Sequence, residues 1–256
     1  MDFHSSSFAP SIALALGSLL PAVLTVEASA QSVPGFSVST YASGVPGPIW
    51  LDFAPDGTLY AGRDVSFTGN PAPQFLTRIG PGGSPIEPIG VVPTVDPDPA
   101  AFDAVGAVSG VPGSVLTGGV NPNAPPAHIS AIRPDNSVVQ LWTSTQWQNV
   151  REMKFDSSGR LLFIGAESRS VWVSVAGEQP TILCTMPVGA SPHYLTLAPD
   201  GRIFVATDDG RIRIYDPDGT LLDDAFATLP SLVAIEFGIG AGFGKHLYAF
   251  RRSTGV

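Results

Sequence analysis

Apolar and polar positions alternate in short runs along most of this chain, and many of the runs end at glycine. Between Arg211 and Tyr215 the alternation is strict. Ile212 and Ile214 fall on one side, Arg211 and Arg213 on the other, which is the two-residue period of a β-strand. One phrase recurs: an apolar run, a Gly turn, then a second apolar run. It occupies residues 51–61 (LDFAPDGTLYA), 153–163 (MKFDSSGRLLF) and 195–205 (LTLAPDGRIFV). Outside an apolar stretch near the N-terminus, no segment carries the stripe of an amphipathic helix. The pattern predicts an all-β chain assembled from repeated hairpins.

The turn glycine serves as a ruler. Gly57, Gly159 and Gly201 mark it plainly, Gly113 marks a weaker copy (VPGSVLT), and Gly244 in GFGKHLYA fits as a fifth. The intervals are 56, 46, 42 and 43 residues. A four-stranded propeller blade takes about 40–50 residues, so the spacing predicts a β-propeller of four-stranded blades with five visible repeats. The long first interval contains Asp96-Pro-Asp-Pro-Ala100, a turn-rich insertion. The clearest blade spans residues 192–228, with strands at 194–197, 203–207, 211–215 and 221–227 separated by Asp- and Gly-rich turns. The fifth unit offers strands at 232–237 and 246–251 and lacks at least one more. Two readings follow: a six-bladed type truncated at its C-terminus, or a short five-bladed ring with an irregular last blade. The alternating run Phe36-Ser-Val-Ser-Thr-Tyr41 is expected to close the ring by pairing with the last blade, which protects an edge.

The chain has 256 residues, 44% of them hydrophobic, enough to build one sizeable core. A formal net charge of -9 without any basic stripe argues against a nucleic-acid partner. The single cysteine, Cys184, rules out an intrachain disulfide, and in the run TILCT it reads as a small buried hydrophobe. Near the N-terminus residues 12–26 are largely apolar and precede Ala28-Ser-Ala30, a small-x-small cleavage site. The stretch is short for a membrane span. Residues 1–30 therefore read as a signal peptide and 31–256 as the propeller domain, secreted or periplasmic, with no membrane span after cleavage. The first eleven residues carry Asp2 and no Lys or Arg, which departs from the usual signal pattern.

Residues 36–62 (FSVSTYASGVPGPIWLDFAPDGTLYAG) resemble the opening of six-bladed propellers of the NHL, gluconolactonase (regucalcin) and soluble sugar-dehydrogenase type, and residues 191–219 are similar to an NHL repeat. In gluconolactonases the resemblance implies a divalent metal at the channel mouth. Its ligands include a Glu in a Glu-Gly-Pro-x-Trp phrase and Asn or Asp side chains that open inner strands. Here the phrase is Pro46-Gly-Pro-Ile-Trp50, with proline in the place of Glu. Val150-Arg151-Glu152 and Pro192-His193-Tyr194 put Arg and His where the other ligands belong. The expected ligands are thus missing, and the cofactor is left unknown. Resemblance to propeller lyases and quinone-dependent dehydrogenases implies a different chemistry. His193 would act as general base and Arg151 would hold an anionic intermediate or carboxylate.

Aligning the repeats makes positions equivalent. Ile49, Arg151, His193 and Val233 open the inner strands, Trp50, Glu152, Tyr194 and Ala234 follow, and Asp64, Glu167 and Asp208 end the second strands. In a propeller these sets converge at one face. Trp50, Asp64, Glu152, Glu167, Tyr194 and Asp208 are then a candidate ligand-binding ring beside Arg151 and His193. Glu152 and Glu236 fall in different registers and are not placed as a dyad, and Gly238-Ile-Gly240 is a turn between strands rather than a phosphate cradle. The expected function is recognition of a small polar ligand or a protein partner at one face. The alternative is a propeller enzyme acting on a lactone, a sugar or a similar small polar substrate. A fragment of a longer gene, with exposed edge strands, is a third reading.

Overall fold

The structure, a computed structural model, describes residues 40–63, 74–92, 96–119, 126–147, 149–238 and 245–251. From Tyr41 onward the chain forms one compact unit. Its first sheet holds β1 (Pro48–Phe53), β2 (Leu59–Arg63), β3 (Gln74–Ile79) and β4 (Ile86–Val92). The second holds β5 (Ala101–Asp103), β6 (Ser114–Gly119), β7 (Ala127–Ile132) and β8 (Val138–Ser144). The third holds β9 (Val150–Phe155), β10 (Leu161–Gly165), β11 (Ser170–Ser174) and β12 (Thr181–Thr185). The fourth holds β13 (Pro192–Leu197), β14 (Ile203–Thr207), β15 (Arg211–Tyr215) and β16 (Leu221–Thr228). Among the described residues the last sheet has two strands, β17 (Leu232–Phe237) and β18 (Leu247–Arg251). Every pairing is antiparallel between consecutive strands. The first strand of each sheet packs against the first strand of the next, as inner strands of consecutive propeller blades do.

The recurring sequence phrase has one local geometry. Gly57, Gly159 and Gly201 sit at φ 87°, 81° and 87°, which residues with a Cβ rarely adopt. Each donates its N–H three residues back, to the carbonyls of Ala54, Asp156 and Ala198, and those same residues donate across the turn to Thr58, Arg160 and Arg202. Gly113 ends the weaker copy at φ 81°. The expected strands at 203–207, 211–215 and 232–237 are found at those bounds, β13 starts two residues before its expected position and β18 one residue after. Gly244, most of the run 36–41 and the expected signal segment 1–30 lie outside the described residues.

Apolar cores fill the space between successive sheets. The largest gathers Trp142, Trp147, Phe163 and Trp172 around Leu116, Ile129 and Leu161, between the second and third sheets. Equivalent inner-strand residues face the preceding sheet in these cores: Met153, Leu195 and Ile235 are each no more than 2% exposed. Their counterpart in the first sheet, Leu51, is 52% exposed, and Phe53 beside it is exposed as well. The face of the first sheet turned away from the second is therefore uncovered among the described residues.

Two expectations need refinement. The turn-rich insertion at 96–100 is buried. It lies across the ends of β2 and β6, where a Cβ on Gly62 would stand 1.6 Å from the Asp98 carbonyl oxygen and one on Gly119 1.8 Å from that of Asp96. Arg213 does face away from Ile212 and Ile214, but that side is covered too. At 1% exposure, Arg213 donates to both carboxylate oxygens of Asp209, to Asp224 and to Thr207.

Candidate functional site

Four of the five inner strands carry an irregularity at their start. In β1 the pairing skips Trp50, in β13 His193 and in β17 Val233, and in β9 it shifts between Val150 and Met153. Such bulges turn side chains out of the regular alternation. Trp50 takes φ 43°, an uncommon backbone conformation for a bulky residue. Beyond the bulges the two-residue period resumes, and the four strands present two tiers. Trp50, Glu152, Tyr194 and Ala234 form the first. Asp52, Lys154, Thr196 and Glu236 form the second, two residues further along each strand.

The first tier, with Lys154 and Glu236 of the second, lines a cavity of about 420 Å³, to which Ile49, Leu51 and Ile235 also contribute. One wall is aromatic, with the Trp50 and Tyr194 rings stacked at 5.8 Å between centroids and 24° between planes. Below it, Lys154 Nζ donates to Glu236 Oε2 at 2.6 Å, and Thr196 Oγ1 donates to Glu236 Oε1 at 2.8 Å. The carboxyls also tie neighbouring inner strands together. Asp52 accepts the backbone N–H of Phe102 in the next sheet at 2.7 Å, and Glu152 accepts that of Leu195. Inner-strand N–H groups that face a channel rather than a paired strand are satisfied in this way.

Burial sets the proton affinities here. Glu152 is 5% exposed, and desolvation pushes its carboxyl up to about 8, against the pull of Lys154, the Leu195 N–H and a hydrogen bond from Trp50. It therefore holds its proton near neutral pH. Desolvation also raises Asp52, against backbone hydrogen bonds and the charge of Lys154. For Lys154 burial works against the charge, but the surrounding carboxyls outweigh it and its pKa rises. Lys154 is thus a fixed cation that leans on Glu236.

The proposed catalytic pair sits beside this cavity rather than in its lining. Arg151 Nη1 lies 2.7 Å from Nε2 and 2.8 Å from Nδ1 of His193. The guanidinium can only donate, so whichever ring nitrogen of neutral His193 is unprotonated is the one that can accept from it. Desolvation and the Arg151 charge both lower the His193 pKa, with Asp208 opposing them. His193 packs on Tyr194 at 6.0 Å between centroids, which joins the pair to the aromatic wall. Asp208 is exposed and accepts the Ser191 N–H at 2.7 Å, a turn role. Glu167 is an exposed turn residue, and Asp64 lies outside the described residues.

The structure brings Trp50, Glu152 and Tyr194 together on the cavity and sets Arg151 and His193 next to them. Sequence reasoning passed over Asp52, Lys154 and Thr196, and it weighed Glu236 only as half of a dyad. The signal was present: each lies two residues beyond a first-tier position, on the same side of its strand.

The donor set does not fit a divalent ion. Glu236 is engaged by Lys154, a cation stands between the carboxyls, and Arg151 occupies a rim position where a ligand would be needed. Among the described residues no group of three or more His, Cys, Asp or Glu side chains is arranged to hold a metal.

No protein-family model matches the chain, and no curated protein matches it. Its likeness is to solved structures. One is described as a protein proposed to be a gluconolactonase, with 16% identity over 78% of this chain and 69% of that chain and a TM-score of 0.57. Another is a catalytically inactive variant of virginiamycin B lyase from Staphylococcus aureus with quinupristin, at 14% identity, 83% and 72% coverage, and a TM-score of 0.58. The selenomethionine form of that lyase gives 13% identity, 83% and 87% coverage, and a TM-score of 0.54. The chain has the β-propeller fold. At such identities the likeness speaks for the fold alone.

Proposed function

We propose that this chain is an exported β-propeller that binds a small polar ligand in the cavity at the mouth of its channel. The observation that carries this is the 420 Å³ cavity lined by the stacked Trp50 and Tyr194 rings together with Glu152, Lys154 and Glu236. Aromatic surface with a few fixed polar groups is the usual construction of a small-molecule site. Export rests on the apolar run before Ala28-Ser-Ala30. The six-bladed NHL and gluconolactonase type remains part of the proposal, supported by the repeat spacing.

The test is calorimetric titration against a panel of monosaccharides, lactones and virginiamycin-type compounds, for the native chain and for Trp50→Ala and Tyr194→Ala. Binding that falls about tenfold or more in both variants supports the reading. Binding that neither variant alters refutes it.

A second reading is an enzyme, and the neutral His193 held by Arg151 favours it. The neighbours described as a gluconolactonase and as a lyase make lactones the first substrates to try. His193→Ala must then cost orders of magnitude in turnover. A pure binder keeps its affinity in that variant apart from contact losses.

A further inference from the structure

Around the cavity, three carboxyls share one ammonium. Lys154 is committed to Glu236 at 2.6 Å. Glu152 and Asp52 feel its charge, but their direct partners are hydrogen-bond donors: Leu195 N–H and Trp50 for Glu152, Phe102 and Phe53 N–H for Asp52. Glu152 is the buried member that lines the cavity, and it stands between the aromatic wall and Lys154. A carboxylate can accept about four hydrogen bonds, so Glu152 has room for donors from a ligand. The stacked Trp50 and Tyr194 rings line the same space, and an aromatic face attracts a cation.

Resting on the cavity-binding reading, we propose that the ligand carries a cationic group, an ammonium or guanidinium, seated against the Trp50–Tyr194 wall beside Glu152, and that Glu152 releases its proton to solvent as the ligand binds. The O–H bond of the carboxyl breaks, the proton goes to the buffer, and the ligand's charge takes its place beside the carboxylate. The groups that face Glu152 are Lys154 on its own strand, Tyr194 from β13, Glu236 from β17 and Trp50 from β1, with Asp52 acting through Lys154. Only Lys154 among them is cationic, and its bond to Glu236 is why a second cation is accommodated. Desolvation keeps Glu152 protonated in the empty cavity, so the proton is there to be released.

The experiment is titration calorimetry at pH 7 in two buffers of different ionisation enthalpy. The probes are matched pairs: glucosamine against glucose, and benzylamine against benzyl alcohol. The expected result is that an amine binds about tenfold or more tighter than its neutral partner. It should release close to one proton. Glu152→Gln keeps an acceptor for the Leu195 N–H, so the fold is retained and checked by its melting curve. In this variant both the proton release and the preference should vanish. A neutral partner that binds equally well, with no proton exchanged, overturns the inference while leaving the cavity-binding reading intact. If no probe binds and the Trp50→Ala variant is indistinguishable from the native chain, both fail together.

Discussion

Glu152 makes the stability of this propeller depend on pH in an unusual direction. In the unfolded chain its carboxyl gives up its proton near 4.5, and in the folded chain burial holds the proton to about pH 8. Between those values the native state binds a proton that the unfolded state lacks, so raising the pH favours unfolding. The contribution is complete below pH 4.5 and is lost as the pH climbs to about 8. At about 1.4 kcal/mol per unit the ceiling is about 5 kcal/mol. Lys154 stands nearby and screens the buried charge, so about 2–4 kcal/mol is the expected loss. Urea unfolding at each unit from pH 5 to 9, followed by tryptophan fluorescence, measures it. Glu152→Gln should flatten the profile and overtake the native protein above pH 8. Asp52, raised in the same direction, is common to both proteins, and Lys154 stays charged throughout, so the difference between the curves isolates Glu152. Curves that run parallel within about 0.5 kcal/mol would refute the reasoning, because a carboxyl with ordinary affinity has already ionised by pH 5.

Arg213→Met leaves the part-exposed Asp209 and Asp224 with Arg211 as their remaining cation and should cost about 1–3 kcal/mol in chemical denaturation, with Arg213→Lys recovering only part because it loses the planar fork. The same pair has an acid signature. Arg213 holds Asp209 well below the ordinary carboxylate range, so this stability is present above pH 4 and fades as the pH falls, and Arg213→Met should remove that fading. Gly62→Ala drives a methyl into the Asp98 carbonyl and should lower stability by about 3 kcal/mol or more, read as a drop in melting temperature. Cys184 is buried and its thiol is pushed up to about 12 by desolvation, so an aromatic disulfide reagent should label it only at the rate of unfolding. Rapid labelling under native conditions would contradict the packing between the third and fourth sheets.

The hairpins were legible because their turns need glycine at positive φ, a demand that sequence shows directly. Asp52 and Lys154 were not. Each reads locally as the polar half of an alternating strand, and only the fanning of the sheets about a common axis turns those positions toward one another. The burial of Arg213 was hidden for a related reason. Alternation assigns a side chain to a face of its strand, but not whether that face meets water or the chain's own carboxylates. Proline and aspartate at 96–99 signal a turn, and nothing local reveals that Gly62 and Gly119 leave a slot for it. The rim was more accessible, since Trp50, Glu152 and Tyr194 follow from aligning the repeats. The bulges that offset Trp50 and His193 from the regular pleat cannot be read from composition.

Those bulges make the rim and the barrel of the channel separable parts. An extra residue absorbs any change of direction at the strand's start, and the deeper positions keep their places whatever is mounted above them. Trp50, Arg151 and His193 can then be exchanged as a set for other side chains without disturbing Met153, Leu195 or the carboxyl ties between strands. The mouth of this protein is in effect a socket, whose fittings can be redesigned while the housing stays the same.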